Sequence, residues 1–291
     1  MTANLISKKI NTYLTGSITV ETDQHSQIII HEPPEGLVHA AGDDVTRHQI
    51  TSVMAFQEKL SMLFRAYLKS AGIKLPLPDG KYKVKVKLRS ARKISELPAP
   101  TIKYVSPASP LLNVLKSVMD ALNGHIVSND SQINSSEIVY EPASGCGRSK
   151  LDHLEVGLYD ASQQPAAPIA RIAADVYVIP KEPPMYYDGN NKPVVLQETH
   201  HKDFATQLRP IISVPQYERY HIDVQFIGDV KRLDIDNMAK IYLPLFNELG
   251  IADDLIHRVT LNKRSGKKLN STVSMQIHPH PLQHVKQSTS P

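Results

Sequence analysis

The chain of 291 residues has one cysteine, no tryptophan and few aromatic residues, 6% in all. A single thiol, Cys146, excludes a disulfide framework and suits a reducing cytosol. It lies in Gly145-Cys-Gly147 with no base or ligand set beside it, and so reads as inert. The scarcity of aromatics excludes nothing. No stretch approaches the ~18 apolar residues of a membrane span, so no membrane partner is expected. Lys8 and Lys9 are not followed by an apolar segment, so no secretory signal is expected and the cytoplasm is the implied compartment. Charge of one sign is scarce too. Lys and Arg number 33 against 29 Asp and Glu, a formal net charge of +4, which permits a nucleic-acid partner without announcing one. An apolar fraction of 41% suffices for a real core, and the length fits one large domain or two small ones.

What the chain does carry is concentrated in Arg232-Leu-Asp-Ile-Asp-Asn-Met-Ala-Lys240. In an extended segment residues i and i+2 point to the same side. Asp234 and Asp236 can therefore present two carboxylates together, with Ile235 turned inward. Such a pair suits Mg²⁺ or Mn²⁺, which take carboxylates along with water and phosphate oxygens. Lys240 lies one helical turn beyond Asp236 on the same face, where a point charge could hold a phosphate. A second acidic pair, Asp253-Asp254, follows the helix. A lone Asp here would read as a helix cap. The pair, its basic approach, the lysine and the later Asp-Asp favour the metal reading.

Periodicity divides the chain into two runs. In the first, strands are expected at 17–21 and 27–31, closed by Pro33-Pro34. Apolar residues at helical spacing from Val53 to Leu68 predict a helix over about 45–71. Lys81-Tyr-Lys-Val-Lys-Val-Lys-Leu-Arg89 alternates strictly. Lys81, Lys83, Lys85, Lys87 and Arg89 share one face; Tyr82, Val84, Val86 and Leu88 share the other. That is a strand with one buried and one basic face. The basic face suits a DNA backbone, while a solvated or edge-protecting lysine face is the plainer reading. A helix over 110–123 ends at Gly124, and strands follow at 132–140 and 151–159.

Residues 161–168 read as a linker between a domain at 1–160 and another at 169–280, with a polar tail at 281–291. The second run has strands at 171–179, 220–227, 255–261 and 271–278. It has a short helix at 202–208 and a longer one at 236–249, which Pro244 is expected to kink. A basic loop, Lys263-Arg-Ser-Gly-Lys-Lys268, adds Lys263, Arg264, Lys267 and Lys268 to Arg232 as candidate DNA contacts. His278, His280 and His284 near the tail could bind metal, but Pro279 and Pro281 make that stretch read as disordered; Glu198, His200 and His201 in a loop read as solvated.

The two runs repeat one order. Pro33-Pro34 answers Pro183-Pro184, Leu112-Asn113-Val-Leu-Lys116 answers Asp236-Asn237-Met-Ala-Lys240, and Asn129-Asp130 answers Asp253-Asp254. The expected fold class is α/β, a mixed sheet with helices. Two related domains are expected to pack as a pseudo-dimer within one chain. The repeat is lopsided, because Pro110 and Leu112 stand where the second run has Asp234 and Asp236.

Asp-x-Asp-Asn-x-x-Lys, a helix ending in Gly and then Asp-Asp resembles the RusA family of Holliday-junction resolvases. Leu122-Asn-Gly124 with Asn129-Asp-Ser-Gln-Ile133 resembles the same family's text in the first run. The likeness is tight over about 230–262, looser over 110–140 and only topological elsewhere. It implies a Mg²⁺-dependent, dimeric endonuclease of branched DNA such as four-way junctions, of a kind common on phages and prophages. It implies metal ligation by Asp234, Asp236 and Asp254, and a phosphate or metal-site role for Lys240. The chain departs from the family in its doubled length and in Leu-Ile-His after Asp254. A helix of about 13 residues is roughly 20 Å long, which separates Asp254 from Asp234 and Asp236 within one domain. Head-to-tail packing of the halves would instead let Asp130 complete the site. A silent junction-binding or assembly protein is the alternative reading, and two chains together would restore two sites.

Overall fold

The computed structural model describes residues 6–12, 16–24, 26–31, 46–48, 51–94, 97, 110–143, 152–176, 185–187, 204–267 and 271–280. Its elements are β1 (Ile6–Thr12), β2 (Gly16–Thr22), β3 (Gln27–His31), β4 (Thr46–His48), α1 (Thr51–Ser70), β5 (Tyr82–Ser90), α2 (Pro110–Leu122), β6 (Ile133–Pro142), β7 (Asp152–Asp160), β8 (Ala167–Val176), β9 (Met185–Tyr187), β10 (Tyr220–Gly228), α3 (Ile235–Tyr242), α4 (Pro244–Glu248), β11 (Ile256–Ser265) and β12 (Thr272–Pro279). Ten strands form one mixed sheet in the order β1-β2-β3-β12-β10-β11-β6-β5-β7-β8, and β4 pairs with β9. The fold is therefore mixed α/β, as the alternation predicts. Among the described residues no helix is long and apolar enough to cross a membrane.

The period-2 pattern decides which face is covered. Val84, Val86 and Leu88 of β5, Ile222, Val224 and Phe226 of β10, and Val259 and Leu261 of β11 are all buried. α2 packs on β6 and β11, and α3 packs on the same two strands and on α2, so the two helices lie side by side over the middle of the sheet. α1 packs on α2. α2 is buried along almost its whole length, as expected of a helix between the sheet and α1, and its polar residues Asn113, Lys116, Ser117 and Asp120 share one face.

The middle of the sheet has a repeating register. β6 and β11 pair antiparallel, with Ser135 opposite Asn262 and Val139 opposite Arg258. The pairing is unchanged when each β6 residue is exchanged for the β11 residue 123 positions later. On either side, β5 runs parallel to β6 and β10 parallel to β11. Both parallel pairs carry a register shift at the same place, after Tyr82 and after Tyr220. Each of these tyrosines donates its hydroxyl to a carbonyl a few residues upstream, of Pro78 and of Pro215. β7 and β12 then flank β5 and β10 antiparallel. Gly124 and Gly250 end the two helical stretches at φ +72° and +95°, where an L side chain would be strained.

Several expectations change. Residues 161–166 are the turn joining β7 to β8, which pair in one sheet; the segment read as a linker is a hairpin turn. Pro244 separates two helices rather than kinking one. It lacks an N–H and its ring would clash with the carbonyl one turn back, so it starts α4 instead. β1 has no counterpart in the expected strands. Both Pro-Pro pairs, Cys146, Glu198, His200, His201 and His284 lie outside the described residues.

His257 is buried beside Tyr140 and His280, with ring centroids 5.3 and 6.2 Å away. Burial, and then the charges of Arg219 and His280, lower its pKa from 6.5 to about 4. A depressed histidine contributes stability that is intact above the unfolded pKa and lost as pH falls towards the folded one. Wild type is therefore expected to lose stability relative to His257→Gln between about pH 6.5 and 4. Urea unfolding at several pH values checks this, and a pH-independent difference would contradict it.

Candidate metal centre

Strand directions assemble the site. β10 and β11 are parallel, so both end on one side of the sheet, and β6 starts on that side because it opposes β11. Asp234 follows β10, Lys263 lies near the end of β11, and Asp130 begins the tight turn Asp130–Gln132 that leads into β6. Residues from both runs of the chain thus meet at one end of the central strands.

Asp234 precedes α3 with extended backbone, φ −79° and ψ 130°, and makes no capping hydrogen bond. The helix-cap reading fails there. Its Oδ2 accepts from Asn237 Nδ2 at 3.0 Å, and its side chain shares a hydrogen bond with Asp130. Asp236 lies in the first turn of α3 rather than in an extended segment, and is only 1% exposed. Its Oδ2 accepts from Lys116 Nζ at 3.1 Å and lies 3.8 Å from Lys240 Nζ. Lys116 also donates to Asp120 Oδ1 at 3.1 Å, and Gln57 of α1 donates to Asp120 Oδ2 at 3.2 Å. The other oxygen of Asp236, Oδ1, is buried without a hydrogen-bond partner.

The charges act strongly on one another. Burial raises the Asp130 carboxyl to about 7, helped by the charge of Asp234, the hydrogen bond with it and the charge of Asp236; Lys116 opposes the rise. Burial also pushes Asp236 up, but Lys116 and then Lys240 outweigh it and hold that carboxyl below the usual range. Lys263 is lowered to about 8 by burial, against the pull of Asp234, Asp130 and Asp236.

Asp254 stands outside this group. It is exposed, and its charge acts on Asp253, which burial and Asp254 together raise to about 6. The 123-residue correspondence between β6 and β11 also equates Asp130 with Asp253, one residue earlier than the sequence pairing suggests. Asp130, rather than Asp254, is thus the carboxylate that interacts with Asp234 and Asp236.

These three carboxylates could hold a hard divalent cation. They offer oxygen donors of the right kind. Asp236 Oδ1 is a buried acceptor with nothing to accept, and Asp130 and Asp234 share a hydrogen bond that a cation could replace. Among the described residues no three His, Cys, Asp or Glu side chains already converge as a ligand set.

The expected DNA contacts divide. Lys263 is not in a loop: it lies in β11, is 5% exposed, and donates to the carbonyls of Ser131 and Leu233 at 2.5 Å each. A phosphate cannot reach it as a surface contact, which corrects that assignment. Arg232, Arg264 and Lys267 are exposed beside the site, with Lys231. Lys268 lies outside the described residues. Lys81, Lys85 and Arg89 are exposed and Lys83 and Lys87 half-buried. Their strand is interior, so the edge-protection reading does not apply. Neither is the face purely basic. Lys87 and Arg89 both reach Glu141, at 2.9 and 3.3 Å, Arg258 reaches Glu137 at 2.6 Å, and Arg171 pairs with Glu155. All of these but Arg89 line a mixed-charge groove of about 390 Å³. His280 lines this groove rather than lying in a tail, and His278 lies in β12 beside His221 at 5.5 Å.

The roles of three residues of the cluster escaped the sequence reading. Lys116 was legible as the answer to Lys240, but nothing local says that it crosses to Asp236. Asp120 gives only an i+4 spacing from Lys116. Lys263 was hidden by the basic run around it, although it ends the buried alternation Val259, Leu261, Lys263.

Compared with protein-family models, curated proteins and solved structures, the chain matches none of them.

Removing Lys116 leaves Asp236 buried with only the more distant Lys240. Lys116→Met is expected to destabilise the protein by about 3 kcal/mol, the low end for breaking a buried pair because Lys240 remains. Lys116→Met/Asp236→Leu is expected to recover most of that loss in urea unfolding.

Proposed function

We propose that the chain is a metal-dependent endonuclease of branched DNA resembling the RusA family, with its two runs acting as a pseudo-dimer and one working site. The observation that carries this reading is the meeting of Asp130 from the first run with Asp234 and Asp236 from the second. The shared register of the two halves supports the pseudo-dimer.

Asp130, Asp234 and Asp236 would hold Mg²⁺ or Mn²⁺. When bound, such an ion supplies Lewis acidity and a water of lowered pKa. Lys240, buried next to Asp236, would serve the metal site by steadying that carboxylate rather than by touching phosphate. Exposed Arg232, Arg264 and Lys267, with Lys231, form the basic rim on which a DNA backbone would lie. At the pseudo-equivalent end, Pro110 and Leu112 are buried in place of the aspartates, so one chain would nick rather than make paired cuts. A silent junction binder is the second reading, favoured by the hold of Lys116 on Asp236.

Cleavage of a labelled four-way junction beside linear duplex, with Mg²⁺, Mn²⁺ or EDTA, tests the proposal. Wild type is expected to nick the junction only with metal. Asp236→Asn and Asp130→Asn are expected to lose at least about 100-fold in rate, on the scale of lost electrostatic stabilisation, while Asp254→Asn stays within about threefold of wild type. Loss in Asp254→Asn with Asp130→Asn spared would overturn the shared site. Tight junction binding without cutting under any metal would establish the second reading.

A further inference from the structure

The role of Lys263 follows from where its two hydrogen bonds go. It shares the helix-covered side of β11 with Val259 and Leu261, where alternation calls for an apolar residue. A buried ammonium is costly unless its donors are used. Two of its three are. One goes to the carbonyl of Leu233, the residue before Asp234, and the other to the carbonyl of Ser131, the residue after Asp130. One side chain thus ties together two backbone segments from different runs of the chain, each bearing a carboxylate of the candidate centre. Those carboxylates repel one another when both are ionised.

The other half of the molecule offers an internal comparison. The 123-residue correspondence puts Tyr140 where β11 has Lys263. Tyr140 is buried, and its hydroxyl donates to the carbonyl of Arg92, in the segment that follows β5. That is the counterpart of the Leu233 contact, after β10. The same position therefore holds a neighbouring segment in both halves. The Tyr140 hydroxyl also approaches the carbonyl of Ser90, at 3.5 Å; what sets Lys263 apart is its charge and its bond to the residue beside Asp130.

We propose that Lys263 is a positioning residue that clamps the two carboxylate-bearing segments beside one another, where both can turn to one divalent cation. This rests on the metal reading above. Lys263 touches neither phosphate nor metal. It restrains Leu233-Asp234 against Asp130-Ser131 before the ion arrives.

Calorimetric titration of the full chain with Mn²⁺ tests this without reference to cleavage. Wild type is expected to bind, and Asp234→Asn to lose binding. Lys263→Met, of similar length but without donors, is expected to bind about 10- to 100-fold more weakly, the range for residues that orient metal ligands. Lys263→Gln, which keeps donors on a shorter chain, is expected to fall between, and carries the test if Lys263→Met does not fold. Tyr140→Phe is expected to bind as wild type does. A purely structural role would lower the unfolding midpoint of a Lys263 variant while leaving Mn²⁺ affinity unchanged at temperatures where it is folded; that result overturns the clamp. An equal loss of affinity in Tyr140→Phe also overturns it, since the effect would then be general loosening. No Mn²⁺ binding by wild type would remove the metal reading itself, and the clamp with it.

Discussion

The antiparallel pairing of β6 with β11 is the constraint on which the rest depends. It joins the two halves of the sheet by backbone hydrogen bonds, and it fixes which strand ends share a side. Sheet register is specified wherever one face is buried, because a one-residue slip turns every inward side chain outward. Here such a slip would move Leu261 and Lys263 to the open face and separate Lys263 from the carbonyls of Leu233 and Ser131. The position of three aspartates is therefore set by a ladder in which none of them takes part.

The cluster is a compromise between burial and charge. Asp236 stays ionised at 1% exposure because Lys116 and Lys240 outweigh the cost of burial. Asp130, buried and facing two other carboxylates, is raised to about 7 instead. Groups of one kind thus behave differently over a short distance, a pattern that marks functional sites as well as structural ion-pair networks. The path from Asp236 through Lys116 and Asp120 to Gln57 carries the arrangement out to α1.

Much of the fold was legible because alternation and helical spacing are local. Tyr82, Val84, Val86 and Leu88 declare the strand and its buried face without reference to anything else, and Gly124 and Gly250 mark helix ends. The repeat was legible in outline, though its register was off by one at Asp130 because the segments before the two turns differ in length. Pairing was not legible. Nothing in 161–168 distinguishes a linker from a hairpin turn, since Pro, Gln and Ala serve both. The sign of the β5 face was visible, but its neutralisation by Glu137, Glu141 and Glu155 depends on which strands lie alongside. Lys263 illustrates the same limit: its neighbours in sequence are surface cations, while its neighbours in space are carbonyls and carboxylates.

The strand order also has a consequence for how the protein is made. β5 to β8 are adjacent in sequence and nearly adjacent in space, so that block can pair once residue 176 has left the ribosome. β3, near the start of the chain, pairs with β12 near its end. Non-local pairs of this kind form late, because the loop between them must be closed first. β3 must therefore wait, with an unpaired edge, through most of synthesis. Asp130 likewise meets Asp234 only when β11 is in place, so the carboxylate cluster is among the last features the growing chain acquires.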